Sequence, residues 1–344
     1  MSTTTGAAAP SALGAAPAKA GIILTTLILG AMVANINTSI SNVALPSIGS
    51  ALNATDTQLT GITDAYQLGI AATVLYLGAV GDRYGRKRML LLGAFLCVPF
   101  SLMSAWSPTA VFLIGAQIAV GVSGGMLYPT TLSMITALWR GKKLTAAIAL
   151  WTGIGTGASV LGPILGGWLL GNYWWGSVFL ITVPLAIVVL VLGFVVLPKS
   201  AAEHNEPVDH QGGTLSVIMI SSLVLGIVML PQGITITVGV LFAVMLVSGF
   251  LFVRRERRAP NPLFDLKMAA IPTFWVAFVA GLVAFGALVG AMFIGQQFTQ
   301  NVLMYTPLHA VLLTLALAIG MVPAAVCAGK FIGAKGTRLT FLIG

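Results

Sequence analysis

The chain has 344 residues, of which 58% are hydrophobic and only 7% charged, with a mean hydropathy of +1.00. An ordinary soluble domain carries roughly 25% charged residues and needs more polar cover than this composition supplies. A soluble enzyme, a disordered tail and a nucleic-acid module are therefore excluded. Apolar stretches that run unbroken for about twenty residues also argue against a membrane β-barrel, whose strands alternate over about ten. What remains is an all-α polytopic membrane protein, in which 40 glycines suit close helix packing. The net charge of +9 does not reverse this. The basic residues sit in short clusters between apolar runs, with no aromatics interleaved as a nucleic-acid surface would have them.

In chain order, residues 1–20 are almost all Ala, Thr, Ser, Pro and Gly with one charge, Lys19, and read as a disordered cytoplasmic leader. The apolar run that follows is too long for the core of a cleaved signal peptide. Ten spans follow, at about 22–44, 60–81, 89–106, 110–133, 145–168, 175–197, 213–231, 235–253, 273–298 and 309–331. Each is long enough to cross a hydrocarbon core of about 30 Å at 1.5 Å per residue. An eleventh apolar run opens at Leu339 and is too short to cross.

Orientation follows from the lysines and arginines. Lys19 precedes the first span. Arg83, Arg86, Lys87 and Arg88 follow the second, Arg140, Lys142 and Lys143 the fourth, and Lys199 the sixth. Arg254, Arg255, Arg257, Arg258 and Lys267 follow the eighth, and Lys330, Lys335 and Arg338 close the series. All 17 fall on one side, which the positive-inside rule makes cytoplasmic. Trp106, Trp168, Tyr173, Trp174 and Trp175 form an aromatic belt at the opposite ends. The 198–212 loop holds Glu203, His204, Glu206, Asp209 and His210. It reads as a solvated linker, because the spacing matches no structural zinc pattern. Cys97 and Cys327 lie within apolar runs and read as small hydrophobes. No metal or cofactor is expected.

The most specific motif is Gly78-Ala-Val-Gly-Asp82-Arg83-Tyr-Gly85-Arg86-Lys87-Arg88, a tight turn between two spans. A second, Gly153-Ile-Gly155-Thr-Gly157-Ala-Ser-Val-Leu-Gly162-Pro163-Ile-Leu-Gly166-Gly167, lies inside the fifth span. Its Gly-x-Gly-x-x-Gly look-alike is no dinucleotide site, because it does not join a strand to a helix. Gly121/Gly125 and Gly286/Gly290 are further small-xxx-small pairs.

On these residues the chain resembles the major facilitator superfamily. The first motif is similar to that family's signature loop, with Gly78, Asp82, Arg83, Gly85 and Arg86 at the marked positions. The second is similar to its antiporter motif, with Gly162, Pro163, Gly166 and Gly167. Asn35-Ile-Asn37-Thr-Ser-Ile-Ser-Asn42-Val-Ala-Leu-Pro46, Asp64-Ala-Tyr-Gln67, Ile181-Thr-Val-Pro184, Pro262-Leu-Phe-Asp265-Leu and Gln300-Asn-Val-Leu-Met-Tyr-Thr-Pro307 point to the fourteen-span drug–proton antiporter branch. The resemblance implies a leader over 1–20, a six-helix half over 21–197, a linker with two extra central helices over 198–258, and the start of a second half over 259–344. It implies a bacterial cytoplasmic-membrane transporter that exports lipophilic or cationic small molecules in exchange for protons.

Two departures bear on coupling. The branch carries an acid where this chain has Asn37 and an arginine where it has Gln117. Losing both together leaves no orphan ion, and the amides still hydrogen-bond but carry no proton at physiological pH. Asp64 is then the one acid within an expected span, with Gln67 one turn away. It is either a functional carboxylate or the hydrated start of its helix. Asn35, Thr38, Ser39 and Asn42 share one face of the first span and Asn37 and Ser41 the other, as suits a helix lining a wet cavity. Gln296, Gln297, Gln300 and Asn301 either close the same cavity or form an outer rim.

A facilitator or lipid-like flippase without proton exchange is the alternative within transport. Outside it stands a truncated, non-transporting membrane protein. The family's second half has six spans where these residues hold two, and Gly329–Arg338 resembles a weakened second signature loop. The expectation is therefore that the 344 residues alone do not transport, unless self-association or a partner supplies further helices.

Overall fold

The computed structural model describes residues 19–198, 208–259, 262–264, 266, 270–305, 320, 323–324, 327–328 and 339. The leader, most of the 198–212 loop, most of the tenth span at 309–331, the basic positions 199, 267, 330, 335 and 338 and the second loop copy lie outside the described residues. So do the side chains of Gln296, Gln297, Gln300 and Asn301.

The described helices are α1 (Ala20–Leu52), α2 (Asp56–Tyr84), α3 (Arg86–Ala105), α4 (Ala110–Leu138), α5 (Gly141–Asn172), α6 (Thr182–Val196), α7 (His210–Met229), α8 (Ile236–Glu256) and α9 (Pro272–Asn301). Two 3₁₀ segments join them, at Trp175–Ile181 and Leu230–Gln232. Among the described residues, seven segments are long and apolar enough to cross a membrane: α1, α3, α4, α5, Trp175–Val196, α7 and α8. The expected second span falls short of that composition, because α2 carries Asp56, Asp64, Asp82 and several Thr and Gln residues. It lies chiefly against α4. The sixth span is also not one α-helix, since it begins as the 3₁₀ turn and becomes α-helical at Thr182.

The ends obey local chemistry. Helix α2 starts at Asp56 because Thr55 and Gln58 form a capping box: Thr55 Oγ1 accepts from the Gln58 N–H at 3.3 Å and Gln58 Oε1 from the Thr55 N–H at 3.0 Å. Gly85 ends α2 and begins α3 in one residue, at φ 110°, a conformation that disfavours any side chain.

Helix α1 packs on α5, α3 on α4 and α6, and α7 on α8 and α2. Glycines set the α2–α4 distance. A Cβ on Gly121 would collide with the Tyr66 carbonyl and stand 2.9 Å from the Gly69 Cα, and one on Gly69 would collide with the Ile118 carbonyl. The two backbones therefore touch, as small residues permit between membrane helices.

The interior divides into two apolar clusters stacked along the helices. One holds Ile23, Leu27, Val33, Tyr66, Leu90, Cys97, Val120, Leu127, Trp151, Ala186 and Val189. The other holds Ile36, Ile40, Ile48, Ile62, Ala105, Leu113, Val178 and Phe179. Trp106 and Trp174, with rings 5.8 Å apart, and Trp168 and Tyr173, at 6.0 Å, lie exposed at the α3 and α5 C-terminal ends. The arginines of the α2–α3 turn lie at the other end of α3.

The α7–α8 pair is tied down by polar contacts. Gly213 fits against the Tyr76 ring of α2, and Tyr76 Oη lies 2.8 Å from His210 Nδ1. Asp209 caps α7, accepting from the Gly212 N–H at 3.1 Å, and pairs with Arg255 Nε at 2.9 Å. Burial opposes ionisation of Asp209, but the Arg255 hydrogen bond and charge and the backbone N–H groups outweigh it and hold its carboxyl below the usual range. A group depressed in this way stabilises the fold above its unfolded pKa, and that contribution is lost as pH falls through the folded value.

Candidate functional site

At the level where the two apolar clusters meet, each of five helices presents polar side chains. On α1 the boundary falls between Val33 and Ile36, on α3 between Cys97 and Ala105, and on α4 between Leu113 and Val120. On α6 and the turn before it, the boundary falls between Phe179 and Ala186. Asn37, Ser101, Gln117 and Thr182 sit at or beside these boundaries. On α2 the boundary falls between Ile62 and Tyr66, and Asp64 is there.

Asn37 is 3% exposed. Its Nδ2 donates to the Val33 carbonyl at 3.0 Å and its Oδ1 accepts from Thr182 Oγ1 at 3.4 Å. Thr182 and Ser101 hydroxyls lie 3.5 Å apart, and Ser101 Oγ is 3.8 Å from Cys97 Sγ. The amide thus joins a chain of long, weak contacts across α1, α6 and α3. Sequence reading missed Ser101 and gave Thr182 no role of its own. The only sequence signal was a hydroxyl residue within an otherwise apolar run.

Gln117 is 1% exposed, and among the described residues neither its Nε2 nor its Oε1 has a hydrogen-bond partner; the buried Ser41 Oγ has none either. Such orphaned groups cost about 1–3 kcal/mol each. Asn37 and Gln117 therefore share a layer, but each is bound differently: one amide is satisfied, the other is not.

Asp64 lies eight residues inside α2, about 12 Å from its first residue at 1.5 Å per residue. It does not start the helix; Asp56 does. Its side chain is half-buried, whereas Gln67 is exposed, and among the described residues no hydrogen bond joins the two. Tyr66, which sequence reading gave no role, is buried and donates to the Ala34 carbonyl at 2.8 Å, fixing α2 against α1. Asn35 donates to the Ala31 carbonyl at 2.9 Å and is half-buried, and Asn42 is exposed.

Asp82 of the signature loop is partnered within the described helices. It accepts from Arg86 Nε at 2.8 Å and from Ser133 Oγ of α4 at 2.9 Å. Both partners come from the first six-helix half: the start of α3 and α4 supply them. Lys87 Nζ donates to the carbonyls of Phe194 and Leu197 at 2.8 and 2.6 Å, placing a cation at the α6 C-terminus. Gly78 lies 3.7 Å from Pro129 by its Cβ position, Gly85 makes the turn, and Arg83 is half-exposed. In the second motif, Gly162 meets Ser39 and Ile36, and Gly166 meets Ile40, so both let α5 close on α1. Pro163 continues within α5, and Gly167 faces open space.

Long apolar helices with polar side chains held where two apolar clusters meet suit a bundle that sits in a bilayer. The family profile of the Major Facilitator Superfamily matches residues 27–344, and the chain belongs to that family as a multi-pass membrane protein. It is similar to the multidrug efflux pump LfrA of Mycolicibacterium smegmatis, 35% identical over 88% of this chain and 60% of that protein. It is also similar to the methyl viologen resistance protein SmvA of Salmonella typhimurium, 30% identical over 92% of this chain and 65% of that protein. The chain thus spans less than two thirds of the length of these relatives. Among solved structures, the proton:xylose symporter XylE aligns with a TM-score of 0.64 at 13% identity, covering 92% of this chain and 69% of that one. That likeness speaks to the fold alone.

Proposed function

We propose that the chain forms the N-terminal six-helix half, the two extra helices and the start of the second half of a drug-efflux transporter in the bacterial cytoplasmic membrane. Its substrates are lipophilic or cationic small molecules, and proton entry drives their export. The observation that carries the reading is the polar layer between the two apolar clusters, with Asp64 the one acid at its level among the described residues, in a chain similar to proteins named for drug efflux and resistance. Asp64 is the candidate proton- or cation-binding group, because an ionisable side chain at that depth is costly unless used. Asn37, Gln117, Asn35 and Gln67 are candidate substrate contacts. The test is efflux of a fluorescent lipophilic cation, ethidium, from pump-deficient bacteria expressing the intact gene product. Export that stops when a protonophore collapses the gradient supports the reading; export that persists favours the uncoupled facilitator.

Gln117 gives a separate expectation. An amide held buried without a partner destabilises the resting fold and is retained where a group exchanges partners during function. Gln117→Leu, close in volume, raises the melting temperature in detergent by the equivalent of about 1–3 kcal/mol and slows efflux. A lowered melting temperature would show that the amide is structural.

The even-numbered loops are placed in the cytoplasm by their arginines and lysines. With Cys97 and Cys327 replaced by serine, a thiol introduced at Asn172 reacts with an impermeant maleimide on intact cells, and one at Lys142 does not. The reverse pattern inverts the topology.

A further inference from the structure

Helices α7 and α8 enclose a groove of about 400 Å³, open along the outside of the pair. Leu215 and Ile218 line it from α7, and Val240, Val244, Val247 and Leu251 from α8. Among the described residues, no polar side chain but Ser248 borders it, and that hydroxyl is turned to its own helix, 2.6 Å from the Val244 carbonyl. The α8 residues are spaced by four, three and four, a single stripe along the helix. From Val240 to Leu251 the stripe runs about 16 Å at 1.5 Å per residue, close to half of a hydrocarbon core of about 30 Å. The groove therefore has the length of one leaflet.

The same stripe does not end in apolar residues. Three, four and seven positions beyond Leu251 come Arg254, Arg255 and Arg258, with Arg257 beside them, and all four are exposed. Arg255 is engaged by Asp209. The neighbouring acid, Glu256, is 3% exposed and accepts the Phe264 N–H at 3.1 Å, so its charge is turned inward. Among the described residues, no acid pairs with Arg254, Arg257 or Arg258.

We propose that this groove and its arginines form a binding site for one anionic phospholipid. An acyl chain lies between α7 and the α8 stripe, and the phosphate sits against Arg254 and Arg258, with Arg257 adding to the field. The geometry joins two features a lipid has and a soluble ligand lacks: an apolar tail one leaflet long and a negative head at its end. Basic residues beside a membrane helix attract anionic lipid, each by about a fivefold change in affinity. The assignment stands independently of the transport reading and of which leaflet the arginines face.

The test is native mass spectrometry of the delipidated protein in detergent, titrated with phosphatidylglycerol or with phosphatidylcholine of the same acyl chains. The wild type is expected to hold phosphatidylglycerol at least about tenfold more tightly, by the same per-residue attraction. Replacing Arg254, Arg257 and Arg258 together by glutamine removes that preference while leaving weak binding of both lipids. Val244→Trp fills the groove and lowers the affinity for both. Inorganic phosphate at millimolar concentration does not displace the lipid. Equal retention of the two lipids by the wild type overturns the proposal. So does an anionic preference that survives the arginine substitutions, an affinity for both lipids unchanged by Val244→Trp, or displacement by phosphate alone.

Discussion

Gly121→Val is expected to abolish the folded protein. The new side chain would enter the space that the Tyr66 carbonyl and the Gly69 Cα already occupy, where neither contact is the flexible end of a side chain. Overpacking a core typically costs about 1–3 kcal/mol, and a clash of backbone with backbone lies at or beyond the upper end. Helix α2 would have to leave α4, and with it the Tyr66 hydrogen bond that fixes α2 to α1. The measurement is the yield of monodisperse protein by size-exclusion chromatography of a fluorescent fusion. Gly115→Val is the control on the same helix, since nothing lies within 4 Å of its Cβ position. Equal yields for the two would show that α2 and α4 are not in backbone contact.

Asp64→Asn carries the largest expected effect on activity. Asparagine matches aspartate in shape but cannot exchange a proton. Gradient-driven export of a lipophilic cation is expected to fall at least about tenfold, a cost of about 1.4 kcal/mol or more in coupling. Expression and monodispersity should stay unchanged, because the side chain is only half-buried and bonds to no other described side chain. Asp64→Glu is expected to retain part of the activity with a shifted pH dependence. Export unchanged by Asp64→Asn across pH 6–8 would return Asp64 to a hydrated surface of α2, and the coupling group would lie elsewhere.

These two positions differ in how far they were legible in the sequence. Asp64 stands out in one dimension, because an acid within an apolar run is rare on energetic grounds alone. Its depth was not legible: the capping box at Thr55 and Gln58 begins α2 four residues before the expected span, and that puts Asp64 about two turns inside the helix. The Gly121/Gly125 spacing announced close packing but not its partner. That partner is Gly69 and Tyr66, and only the docking of α2 on α4 could choose them.

What the sequence by itself determined is the class: composition demands a bilayer, and runs of about twenty apolar residues demand helices. The signature-loop turn belongs here too, since Gly85 at φ 110° is a local matter of one residue. The tertiary structure alone decided which polar groups are satisfied. Asn37 and Gln117 are the same kind of amide in the same kind of helix. Yet Thr182 reaches the first across a helix interface, and neither atom of the second meets a partner. Likewise Asp82 finds Ser133, 51 residues away in sequence. Periodicity and spacing record which face of a helix a residue occupies. They do not record what the neighbouring helix brings to that face, and the energy of a buried polar group depends on that neighbour.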